Sequence, residues 1–66
     1  MQVTINGESQ TFNDPISVLA LLDQSGLAEK RVAVEINENI VPRSLHAATM
    51  IADGDTVEII QAIGGG

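Results

Sequence analysis

The chain has 66 residues, 44% of them hydrophobic, with one Phe and no Trp, Tyr or Cys, and its nine acidic against three basic residues give a formal charge of -6. That balance argues against a nucleic-acid partner, because phosphate binding needs a basic face and base stacking needs aromatic rings. Without thiols there is no disulfide framework, thiolate metal site or Cys nucleophile, and the composition fits a reducing compartment.

Residues 2–12, QVTINGESQTF, alternate apolar and polar on either side of Asn6-Gly7. Asn-Gly supports positive φ at both central turn positions, so the spacing predicts a hairpin with strands near 2–5 and 9–12. The period then changes in DPISVLALLDQSG. Val18, Leu21 and Leu22 share one helical face and Leu19 widens it, with Asp14 or Ser17 as cap and Gly26 as stop, for about two and a half turns. In VAVEIN, Val32, Val34 and Ile36 point one way, while Ala33 and Glu35 point the other, as in a strand with one covered face. NEN reads as a turn. IVPR cannot be a central strand, because Pro42 has no amide to donate. RSLHAATMI reads as a short helical turn plus loop. In DGDTVEIIQAI, Asp53-Gly54-Asp55 turns the chain, Val57 and Ile59 face the core, and Glu58 and Ile60 face outward.

This order predicts an α+β roll of the ubiquitin-like β-grasp type, a mixed sheet of four to five strands with one main helix packed across it. After the helix the chain is expected to return parallel to the first strand, and the last strand to lie beside the first in mid-sheet. Residues 1–62 form the expected domain, and 63–66 a flexible C-terminal glycine arm. The start lacks the basic and apolar regions of a signal peptide, and no apolar run approaches the ~20 residues of a membrane span. The expectation is a soluble, cytoplasmic protein that binds neither nucleic acid nor membrane.

AIGGG at 62–66 invites a phosphate-loop reading, but that chemistry needs a helix N-terminus after the glycines. Two readings remain: a frayed end, or a slim arm on an anchored strand. From Ile60 to Gly66 an extended chain reaches roughly 20 Å, enough to enter another protein's active site. Glycine lets such an arm thread a narrow channel. A terminal carboxylate is ionised at neutral pH and is a poor electrophile, so it requires activation, for example as an acyl-adenylate from which a sulfur nucleophile displaces AMP.

The opening strand with Asn-Gly at 6–7, VAVEIN at 32–37, IVPR at 40–43, DGDTVEI at 53–59 and the closing GGG together resemble the thiamin-biosynthesis sulfur carriers, the ThiS family, over essentially the whole length. Ala20 departs from the pattern, standing where family members often have a Glu that completes a capping box with Ser17. The resemblance implies a carrier that is not itself an enzyme. In similar proteins an E1-like adenylyltransferase, ThiF, adenylates the C-terminal glycine with ATP. The glycine becomes a thiocarboxylate at the expense of a sulfur-donor protein, and thiazole synthase, ThiG, takes the sulfur. By match of motif Gly66 would carry the sulfur, Gly65 would stay free of a side chain beside it, and Gly64 would belong to the arm. No intrinsic cofactor is implied; ATP is used by the activating enzyme. The molybdopterin-synthase small subunit has a similar fold and ending, and a noncovalent β-grasp adaptor or a modifier of lysines also remains open.

Ile60 and Ile63, at the base of the arm, are candidate docking anchors, with Glu58 as an orienting charge. Asp53 and Asp55 flank a turn glycine and are read as turn residues before any metal or acid/base pair. His46 stands alone, which disfavours a triad or zinc site, and is expected on the surface or half-buried in a loop. Arg43 is expected to pair with a local carboxylate before any partner contact.

Overall fold

The computed structural model describes residues 1–61. Strands β1 (Gln2–Ile5) and β2 (Glu8–Thr11) form the first hairpin. Asn6 and Gly7 take φ of 50° and 83°, the two left-handed residues of a type I′ turn. A two-residue strand β3 (Ile16–Ser17) leads into helix α1 (Val18–Gln24), followed by β4 (Val32–Ile36) and β5 (Asn39–Val41). A 3-10 turn (Arg43–Leu45), β6 (Met50–Ile51) and β7 (Thr56–Gln61) complete the described chain.

The five-stranded sheet has the order β2-β1-β7-β4-β5, and β3 pairs with β6 apart from it. β7 lies in the middle, parallel to β1 and antiparallel to β4. This is a β-grasp roll, with the last strand beside the first as the pattern predicts. The strand after the helix is not parallel to β1, however, because β4 is antiparallel to β7 while β1 is parallel to it. The hairpin turns the chain round before the helix begins, so the crossover starts from β2 and returns β4 in the sense of β2.

Local chemistry sets the helix ends. The Ala20 amide donates to Ser17 Oγ at 3.0 Å, so Ser17 rather than Asp14 is the cap. The Val18 and Leu19 amides donate to the carbonyls of Thr49 and His46, so the 46–49 loop satisfies the rest of the first turn. At the other end Gly26 (φ 75°) donates to the Asp23 carbonyl and Leu27 to that of Leu22, a Schellman stop. The helix has seven residues, about two turns.

Val18, Leu21 and Leu22 are buried against Val3, Ile5, Val34, Ile51 and Val57. Leu19 does not widen this face; it is exposed, because two turns of helix present only a narrow stripe to a small sheet. His46 also departs from expectation. Its ring is buried at 5% exposure, with Nε2 donating to the Val41 carbonyl at 3.1 Å, so it ties the end of β5 to the loop that caps α1. A carbonyl can only accept, so Nε2 carries the proton. Among the described residues no helix is long and apolar enough to cross a membrane.

Candidate functional site

The site is assembled around β7. Its alternation buries Val57 and half-buries Ile59 against the helix, and it leaves Glu58 and Ile60 exposed on the uncovered face of the sheet. Across the β4–β7 ladder Glu58 faces Glu35, and Ile60 faces Ala33. Ile40, opposite Glu35 on β5, is exposed on the same face.

Charge divides this face. A shallow cleft of about 410 Å³ is lined by Arg31, Val32, Ala33, Arg43 and Ile60, so two of the chain's three cations flank the exposed isoleucine. A second cleft, about 210 Å³, is lined by Glu35, Glu38, Thr56 and Glu58. Arg43 lies with Arg31 in the lining of the first cleft, which includes no carboxylate. The face offers apolar surface between a basic and an acidic flank, a pattern that can orient a docking protein.

The two edges of β7 are held differently. On one edge β4 accompanies it as far as Gln61, opposite Val32. On the other, β1 pairs only as far as Ile5, opposite Val57. Asn6 then takes over. Its amide donates to the Val57 carbonyl at 2.9 Å, its Oδ1 accepts from the Ile59 amide at 2.8 Å, and its Nδ2 donates to the Ile59 carbonyl at 3.3 Å.

Asn37 does comparable work at the start of β7. Its Oδ1 accepts from the Thr56 amide at 2.9 Å, and its Nδ2 donates to Asp55 Oδ1 at 2.9 Å. Asp55 Oδ2 accepts from the Ala52 amide, and Asp53 Oδ1 from the Gln2 amide. Both aspartates therefore serve the turn that launches β7, with Gly54 at φ 86° between them. Among the described residues no group of three or more His, Asp or Glu could hold a metal ion.

Of the residues singled out from sequence, Glu58 and Ile60 stand together on the uncovered face, while Ile63, Gly64, Gly65 and Gly66 lie outside the described residues. Sequence reasoning missed Arg31, Glu35 and Ile40 as companions of Ile60. The alternation of VAVEIN already turned Glu35 outward, but only strand register shows that it meets Glu58.

The ThiS family model matches residues 3–66. The sulfur carrier protein ThiS of Escherichia coli (strain K12) is 33% identical over 66 residues, covering all of both chains. A thiazole synthase of Paramagnetospirillum magneticum is 46% identical over 66 residues, and there the chain spans only 20% of the relative's length. The crystal structure of a thiamine biosynthesis protein (ThiS) from Geobacter metallireducens superposes with a TM-score of 0.84 at 35% identity, covering all of both chains.

Proposed function

The chain belongs to the ThiS family of sulfur carriers in thiamin biosynthesis, and from that premise we propose that Gly66 is the residue on which the sulfur travels. The observation that carries this assignment is the family match, which runs through the glycines to residue 66. A carboxylate at Gly66 attacks the α-phosphorus of ATP in a partner adenylyltransferase, releasing pyrophosphate. Hydrosulfide delivered by the sulfur donor then attacks the acyl carbon, the bond to AMP breaks as the C–S bond forms, and a thiocarboxylate is left. The carrier supplies the carboxylate and the docking surface, and the partner supplies the catalysis.

Gly64 and Gly65 form the slim part of the arm. Ile60 and Ile63 anchor it on the partner, with Glu58 setting orientation. The exposure of Ile60 and Glu58 between the two charged clefts supports their part of this assignment. Thiazole synthase is the proposed acceptor of the sulfur, because two proteins of that name contain a stretch similar to this whole chain.

The test is intact mass after incubation with ATP, the adenylyltransferase and a sulfur donor. The expected product has one oxygen replaced by sulfur, located at Gly66 by fragmentation. Loading that persists after deletion of Gly66 would overturn the assignment. Glu58→Lys and Ile60→Ala should each weaken binding to the adenylyltransferase, and normal affinity in either variant would remove that residue from the docking surface.

A further inference from the structure

We propose that Asn6 is a positioning residue for sulfur loading: its carboxamide stands in for a residue of β1 beside Ile59 and fixes where the carrier arm leaves the sheet. The proposal rests on the Gly66 assignment above.

The geometry is that of a strand continued by a side chain. At φ 50° Asn6 turns the main chain away toward Gly7, so β1 has no backbone left to offer β7 beyond Val57. Yet β7 runs on for four residues, to Gln61. Strand groups alternate sides, so Ile59 presents its amide and carbonyl to the edge that β1 has just left. The Asn6 carboxamide meets both, as acceptor at 2.8 Å and donor at 3.3 Å, the pair of bonds that two successive peptide units of a longer β1 would have made. A carboxylate could accept from Ile59 but has no proton to give, so Asp does not replace Asn here.

The functional consequence follows from β7 being the strand that leads to the arm. Up to Ile59 the strand is held on both edges. At Ile60 and Gln61, among the described residues, β4 alone accompanies it. Ile59 is thus the last doubly held residue among those described, and by holding it Asn6 sets the length of chain available to reach a catalytic centre. Small misplacements of a reacting group carry large rate penalties, so this anchor point bears on turnover. Glu58 and Ile60 point to the uncovered face and are paired with β4, so docking should be spared when the Asn6 side chain is removed.

The experiment uses the full chain carrying Asn6→Gly, which keeps the left-handed turn and deletes the clamp, and Asn6→Asp, which keeps the turn and the acceptor alone. Two readouts are taken. Amide exchange at Ile59 should speed up by about tenfold in Asn6→Gly, with Val34 unchanged as the reporter of global opening. For loading by the adenylyltransferase, kcat should fall several-fold while KM for the carrier stays constant, with Asn6→Asp lying between Asn6→Gly and wild type. Unchanged Ile59 protection, an equal rise at Val34, or wild-type kcat despite lost protection would each overturn the proposal. If the wild-type chain takes up no sulfur at all, the Gly66 assignment falls and the positioning role falls with it, while the exchange result still shows whether the clamp exists.

Discussion

Glu35 stands directly opposite Glu58 in the β4–β7 ladder, two like charges at the centre of the uncovered face. Like charges in this position destabilise a sheet, and an opposite-charge pair contributes roughly 0.2–1 kcal/mol. Glu35→Lys should therefore raise the urea midpoint of the isolated protein, by about 0.5–1 kcal/mol in stability. The gain should shrink with added salt. A lower midpoint at low salt would show that the two carboxylates do not oppose each other.

Glu38 occupies the second left-handed position of the β4–β5 turn, at φ 71°, where hairpins favour glycine. The left-handed region costs an L-residue roughly 1–2 kcal/mol, part of which glycine gives back as greater entropy of the unfolded chain. Glu38→Gly is expected to stabilise the protein by about 1 kcal/mol, measured by denaturant unfolding. No gain would mean that the Glu38 side chain makes a compensating contact.

Two candidates for the helix cap are separated by paired substitutions. Ser17→Ala should cost about 1 kcal/mol, while Asp14→Ala should stay within about 0.5 kcal/mol. Equal losses would show that the cap is shared.

Leu22 is almost completely buried and Leu19 is exposed, although they are neighbours on one short helix. Leu22→Ala should cost about 2–5 kcal/mol, a large part of the ~3–10 kcal/mol expected for a domain this small. Leu19→Ala should be nearly silent. Thermal melts of the two variants test the assignment, and comparable Tm losses would contradict it.

What the sequence discloses is whatever neighbouring residues decide. Asn6-Gly7 specifies its turn through backbone preference alone, Ser17 and Gly26 punctuate the helix, and the alternation in 32–36 and 56–61 separates inner from outer side chains. Directions and partners across the fold are set elsewhere. The sense of β4 depends on how many reversals precede it, and the hairpin supplies one that the crossover inherits. β3 and β6 have two residues each, too few for any period to show. The burial of His46 follows from where its loop must sit to satisfy the first amides of α1, a demand made by residues far away in the chain.

The same separation runs through the candidate site. Ile60 and Glu58 could be placed outward from periodicity within one strand. Arg31, Glu35 and Arg43 join them only through the fold, because the partners come from β4, the residue just before it and the 3-10 turn after β5. Asn6 is the sharpest case. Its turn role is local and legible, whereas its hold on Ile59 joins positions 53 residues apart.

That hold bears on chemical ageing. In an Asn-Gly pair the glycine nitrogen can close on the side-chain carbon, expel ammonia and form a succinimide, which hydrolyses to aspartate or isoaspartate. Here the carboxamide must release Ile59 at both its atoms before it can swing toward Gly7, so folding should shield a dipeptide that is otherwise short-lived. Peptide mapping after prolonged warm storage should find deamidation at Asn6 much slower in native protein than in urea. Equal rates would mean the shield is absent.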